Sequence, residues 1–140
     1  WRKYEKYIGK YYTFSIERNP WDKVVSSYYF HKNIKYAQYG KIGFEDYLKC
    51  CPSLPLDWHM YSDGEKIILD NVFKWENFHA LFKQMKYNFD IDIKDDIIDT
   101  VRPKSKYRKI KNYKKLHNED TQLLINNLFF KEINYFKYEY

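Results

Sequence analysis

The stretch FSIERNPWDKVVSSYYF, Phe14–Phe30, constrains the fold more than any other part of the chain. An apolar run ends there in a charged pair and passes through Asn-Pro into a helix-like pattern. Asn19 suits the N-cap, Pro20 suits the first helical position, where no N–H is needed, and Asp22 complements the helix dipole. These signals predict a strand, a tight turn and a helix that runs to about Tyr36.

The turn between this strand and this helix has the features of an anion-binding site. Free backbone N–H groups and the positive end of the helix dipole lie at the carboxyl end of the strand, where α/β folds bind phosphates. Arg18 stands at this turn with a planar guanidinium that suits phosphate. Ser26 follows Asn19 by nearly two helical turns and therefore shares its face. The sequence predicts that Arg18 and Ser26 bind one anion. Alternatively, Arg18 pairs with an acid and Ser26 is a small residue at a packing contact.

Hydrophobic periodicity and turn residues predict the other elements of the chain. Tyr11–Ile16 is rich in aromatic and β-branched residues, which predicts a buried strand, and Asp63-Gly64 predicts the turn of a hairpin. Helices are predicted after Gly43, from near Glu76, and from an N-cap at Asn118 to about residue 133. The residues expected to face the core from the first and last long helices are Trp21, Val24, Val25, Tyr28, Tyr29, Leu123, Leu124, Leu128 and Phe129.

The length and the charge distribution narrow the classes of function. The 140 residues suffice for one domain with a core, and no apolar run approaches the roughly 20 residues of a membrane helix. The net charge of +6 is local, because Arg102–Lys115 holds eight basic residues and no acid. Subtracting these eight charges from +6 leaves −2 for the remainder. The basicity therefore indicates a local anionic ligand as readily as a polyanion.

The spacing from Arg18 to Ser26 resembles the 3′-phosphate-binding motif of sulfotransferases. In that motif a strand ends in an Arg, Asn-Pro follows, and a Ser comes eight residues after the Arg. Residues 61–78, YSDGEKIILDNVFKWENF, are similar to a later stretch of the family, and residues 129–140, FFKEINYFKYEY, are similar to its Tyr-terminated end. The likeness is closest to the type-2 group of carbohydrate sulfotransferases and covers nearly the whole chain. The motif positions in register are Arg18, Asn19, Pro20, Asp22, Lys23 and Ser26.

The resemblance implies an α/β, P-loop-like fold of parallel strands flanked by helices, with one sulfotransferase domain over residues 1–140. It implies 3′-phosphoadenosine 5′-phosphosulfate (PAPS) as the sulfuryl donor, no metal, and a hydroxyl of a glycan as the acceptor. The family's first strand, 5′-phosphosulfate loop and catalytic base lie upstream of the motif, and no matching Lys-bearing turn precedes Tyr11. The chain also opens inside an amphipathic pattern without an initiator Met. We therefore expect the C-terminal portion of a longer enzyme, inactive alone, in the cytoplasm if bacterial and in the Golgi lumen if eukaryotic.

The basic segment occupies the place of a family loop that closes over the cofactor. By this resemblance Lys104, Ser105 and Arg108 contact the 3′-phosphate, and Tyr107 or Tyr113 packs on the adenine or shapes the loop. The alternative is a solvated basic face.

Two other classes of function remain open. One is a non-catalytic module that binds RNA or an acidic glycan through Arg102–Lys115, although the acidic remainder argues against a nucleic-acid partner. The other is a degenerate homologue kept as a scaffold.

Two acidic residues near the predicted site need a separate interpretation. The motif has a small or apolar residue immediately before its Arg, and this chain has Glu17 there. We expect the Glu17 side chain to point to the opposite side of the strand end from the anion and to pair with a neighbouring basic residue. Glu76 is either an acid/base group or a helix-start carboxylate.

Overall fold

The computed structural model describes residues 2–34, 41–94 and 107–140. It is a mixed α/β structure with a small parallel sheet and helices, which confirms the predicted class in its coarse form. The chain divides into two compact units, of which the first is Trp1–Arg18 with Asp57–Val101 and the second is Asn19–Leu56 with Arg102–Tyr140. The single domain expected over residues 1–140 stays a prediction.

The described elements follow one another in chain order and include three short 3-10 helices. They are a 3-10 helix at Arg2–Tyr7, β1 (Phe14–Glu17), α1 (Pro20–Asn33), α2 (Phe44–Cys50), α3 (Trp58–Tyr61), β2 (Ser62–Asp63), β3 (Lys66–Ile67), β4 (Asn71–Lys74), a 3-10 helix at Trp75–Asn77, α4 (Phe78–Phe89), a 3-10 helix at Tyr113–Leu116, α5 (Glu119–Leu128) and α6 (Phe130–Phe136).

The first unit is built on a parallel pair of strands. β1 pairs with β4 in a register that sets Phe14 opposite Asn71 and Glu17 opposite Lys74. Helix α4 packs on this pair through a core of Phe73, Leu81, Phe82 and Met85. β2 and β3 form the predicted hairpin, in which Gly64 takes a φ of 65°, a left-handed conformation that glycine adopts without strain.

The prediction of a buried strand at Tyr11–Ile16 is wrong in extent and in burial. The strand begins only at Phe14, and Phe14 and Ile16 are 43% and 37% exposed. Because side chains alternate along a strand, Ser15 and Glu17 share the opposite face, and Glu17 is the buried one. In the described part of the chain β1 has only β4 as a hydrogen-bonded neighbour, and the Phe14 ring meets the Phe73 ring at a centroid distance of 6.1 Å.

The second unit is helical and is organised around α1. The predicted stripe on α1 is confirmed, because Trp21, Val24, Val25, Tyr28 and Tyr29 are all buried. Helix α2 contributes Phe44, Tyr47 and Leu48 to the same interior, and α5 contributes Ile125. The rings of Tyr28 and Phe44 meet edge to face with their centroids 5.3 Å apart.

The last predicted helix differs from the structure in two ways. Its N-cap is confirmed, since the Asn118 side chain accepts from the Thr121 N–H at 2.8 Å, but the helix breaks at Phe129 into α5 and α6. Its predicted inward face is confirmed at Phe129, which is fully buried, but wrong at Leu123 and Leu128, which are 61% and 37% exposed, while Ile125 is fully buried. The buried stripe runs through residues 121, 125 and 129 at four-residue spacing, which turns Leu123 outward.

Candidate anion-binding site

Arg18 lies at the carboxyl end of the parallel strand pair of the first unit. Since β1 and β4 run parallel and end in register at Glu17 and Lys74, the residues that follow them share one edge of the sheet. The Arg18 guanidinium lies 5.9 Å from the centroid of the Trp75 ring, within the range of a cation–π contact. The half-buried Arg18 therefore occupies the strand end that the sequence predicted for it.

Glu17 is a feature of this edge whose role the sequence did not reveal. Its side chain is only 1% exposed and lies on the face of β1 opposite Phe14 and Ile16. One carboxylate oxygen, Oε1, accepts the Arg18 backbone N–H at 2.9 Å. The other, Oε2, accepts the Tyr61 hydroxyl at 2.6 Å, and Tyr61 is itself buried. The alternation of β1 places Glu17 opposite its exposed face, but no local pattern points to Tyr61, which is 44 residues away.

The start of α1 in the second unit has the predicted cap. Asn19 Oδ1 accepts the Asp22 N–H at 3.3 Å, and Asn19 Nδ2 donates to the Glu139 carbonyl at 3.4 Å. Pro20 occupies the first turn, where its missing N–H costs nothing. Ser26 is half-buried one turn beyond Asp22, so the two residues share one face of the helix with Phe30.

The described end of the basic segment lies along this same face of α1. Arg108 forms an ion pair with Asp22 at 2.6 Å and donates to the carbonyls of Ile110 and Lys111. The Tyr107 ring meets the Phe30 ring at a centroid distance of 6.1 Å. The segment is therefore attached to α1 on both sides of Ser26, one helical turn away in each direction.

The predicted contacts from this segment have different outcomes. Lys104 and Ser105 lie outside the described residues. Arg108 contacts Asp22 and two backbone carbonyls through Nε and Nη2, and a phosphate contact from it stays a prediction. Tyr113 meets the rings of His117 and Tyr140 at centroid distances of 6.1 and 6.0 Å, an arrangement in which it shapes the loop.

His117 was not singled out by sequence, and it joins this segment to the first turn of α1. Its Nε2 donates to the Trp21 carbonyl at 3.1 Å, and its ring lies edge-on to Phe44 and Tyr140. Burial lowers the pKa of His117, while its bond to Trp21 and the charge of Asp22 oppose that shift. His117 Nδ1 is buried and has no hydrogen-bond partner among the residues that the structure describes, which suits the neutral imidazole.

The described residues therefore include groups of the kinds that bind anions. A cation stands at a strand end in one unit, and a capped helix start with a nearby hydroxyl stands in the other. Within residues 2–34, 41–94 and 107–140 no group of three or more His, Cys, Asp and Glu side chains could hold a metal ion. In the same ranges no helix has the length and apolarity needed to cross a membrane.

The chain was also compared with families and proteins that are already known. Comparison with models of protein families, with curated proteins and with solved structures finds no match.

Proposed function

We propose that this chain is the 3′-phosphate-binding portion of a sulfotransferase that uses PAPS to sulfate a hydroxyl, with a carbohydrate as the acceptor. By the motif resemblance, Arg18 and Ser26 bind the 3′-phosphate of the cofactor. The parallel strands β1 and β4, each followed by a helix, are compatible with the P-loop-like fold that this family uses.

One observation carries the proposal. Strand β1 ends immediately before Arg18, and α1 begins two residues later at Pro20 with its Asn19 cap made. The positive end of the helix dipole favours an anion, and an arginine at the preceding strand end can supply the charge-assisted hydrogen bonds that bind phosphate tightly. The attachment of the basic segment to the same face of α1 through Asp22 adds support, because it brings further cations to that helix.

The chemistry of the transfer defines what these groups contribute. The acceptor oxygen attacks sulfur, the bond from sulfur to the bridging phosphate oxygen breaks, and the acceptor proton passes to a general base. Adenosine 3′,5′-bisphosphate leaves. Sulfuryl transfer requires of an enzyme what phosphoryl transfer requires, namely the positioning of the reactants and the stabilisation of the charge that develops in the transition state. The proposed groups hold the leaving nucleotide, and none of them is assigned as the base.

Titration calorimetry with adenosine 3′,5′-bisphosphate tests this proposal on the 140-residue chain. We expect the nucleotide to bind and Arg18→Ala to raise its Kd by about tenfold or more, since charge-assisted hydrogen bonds to phosphate are lost. We expect Ser26→Ala to raise the Kd by a smaller factor. Adenosine 5′-monophosphate, which lacks the 3′-phosphate, should bind weakly and respond little to either change.

Lys86→Ala is the matched control, because it also removes one positive charge from the first unit, where Lys86 is exposed and pairs with Asp90. Its Kd should equal that of the unmodified chain. A Kd that neither Arg18→Ala nor Ser26→Ala alters would overturn the proposal. Tight RNA or heparin binding, with a steep salt dependence that Lys and Arg changes in residues 102–115 reduce, would favour the binding-module alternative.

A further inference from the structure

We propose that Glu17 and Tyr61 are positioning residues that fix Arg18 for the 3′-phosphate, an inference that rests on the proposed function. Neither residue is among the motif positions from Arg18 to Ser26, although Tyr61 begins the stretch of residues 61–78 that is similar to the family. Both are 1% exposed, and they meet at the carboxyl end of β1, immediately before the arginine.

The first step of the argument concerns the cost of a buried carboxylate. A polar or charged group taken out of water is stabilised only if its hydrogen-bonding capacity is satisfied. Glu17 meets this condition with two donors of different kinds, the Arg18 backbone N–H on Oε1 and the Tyr61 hydroxyl on Oε2. The carboxylate thus links a buried phenol to the peptide group of the residue that carries the guanidinium.

The second step concerns the anchoring of Tyr61. Its carbonyl accepts the Ile68 N–H at 3.1 Å, and its ring lies edge-on to Trp58 with their centroids 5.6 Å apart. Trp58 in turn donates from Nε1 to the Gly64 carbonyl at 2.7 Å, which ties this helical turn to the hairpin. Tyr61 is therefore a fixed point, and the Glu17 bridge transmits its position to the backbone of Arg18.

The third step concerns what Arg18 gains. The backbone direction at Arg18 is set by Glu17, and its guanidinium is placed against the Trp75 ring at the same sheet edge. An arginine held from both ends loses less conformational entropy on binding phosphate, because its side chain is already ordered.

The test measures discrimination between two nucleotides, defined as the Kd of adenosine 5′-monophosphate divided by that of adenosine 3′,5′-bisphosphate. A loss of folded protein lowers the apparent binding of both nucleotides and leaves this ratio unchanged, whereas misplacement of Arg18 lowers it. We expect Tyr61→Phe to lower the ratio about tenfold, the size of effect expected for one hydrogen bond to a charged group. Glu17→Gln should keep the ratio within about threefold, since the amide can accept from the Arg18 N–H and donate to the Tyr61 oxygen.

Tyr12→Phe is the matched control, because the Tyr12 hydroxyl is also buried in the first unit but has no hydrogen-bond partner within the described part of the chain. Its ratio should be unchanged. A ratio that Arg18→Ala lowers and Tyr61→Phe does not would overturn the positioning role and leave the proposed function standing. A ratio that Arg18→Ala itself leaves unchanged would overturn the proposed function. If Tyr61→Phe fails to fold, Glu17→Ala takes its place, and failure of both to fold contradicts a positioning role in favour of a structural one.

Discussion

At the scale of single residues, the two arginines of the predicted site have different surroundings. Arg108 pairs with Asp22 and donates to two backbone carbonyls, which are contacts that hold a loop in place. Arg18 stands at a strand end against the face of Trp75. The family resemblance assigns both to the 3′-phosphate, Arg18 through the motif and Arg108 through the basic segment, and both assignments stay predictions.

His117 gives a prediction at this scale. Burial depresses its pKa in the folded chain below the ordinary value of 6.5, so the unfolded chain binds more protons as the pH falls through 6.5. The contribution of His117 to stability is therefore complete above about pH 6.5 and decreases as the pH falls from there towards the folded-state pKa. Urea unfolding between about pH 5 and pH 7.5 should show this decrease.

His117→Gln should reduce that dependence on pH, since glutamine can still donate to the Trp21 carbonyl and does not titrate. His59→Gln serves as the control, because His59 is exposed. If both variants lose stability with falling pH as steeply as the unmodified chain does, the burial of a neutral His117 is contradicted.

At the scale of elements, the caps and turns that depend on neighbouring residues were predicted correctly, whereas contacts between residues far apart in the sequence were not predicted. The Asn19 and Asn118 caps and the Gly64 turn are encoded within a few residues, and the structure has all three. The buried Glu17–Tyr61 pair joins residues that are 44 apart in the sequence, and the Arg108–Asp22 pair joins the basic segment to a distant helix. Such pairs are set by tertiary packing, for which a single sequence carries no periodic signal.

The inward face of α5 was mispredicted for the same reason, and it provides a test. Ile125→Ala should lower the free energy of unfolding by about 2–4 kcal/mol, because a fully buried side chain leaves a cavity. Leu123→Ala removes a comparable side chain from an exposed position and should cost less than about 0.5 kcal/mol. Chemical denaturation measures both values. Equal losses of unfolding free energy, or a larger loss for Leu123→Ala, would contradict the structure and support the sequence-based expectation that Leu123 faces the core.

At the scale of the whole molecule, the charge is distributed in a way that suits a small anion. The eight basic residues of Arg102–Lys115 exceed the net charge of +6, so the remainder of the chain is acidic. Part of that basic charge is also used internally, since Arg108 pairs with Asp22. A long polyanion requires a continuous basic surface, whereas a nucleotide phosphate requires a few well-placed donors, so basic charge confined to one segment of the sequence favours the second kind of ligand.

The most direct test of the central claim is phosphorus NMR of adenosine 3′,5′-bisphosphate in the presence of the chain, because the two phosphates give separate resonances. We predict that the 3′-phosphate resonance shifts and broadens more than the 5′-phosphate resonance, and that Arg18→Ala removes this difference while Lys86→Ala preserves it. Perturbation of the 5′-phosphate alone, or a 3′-phosphate perturbation that Arg18→Ala leaves unchanged, would contradict the account.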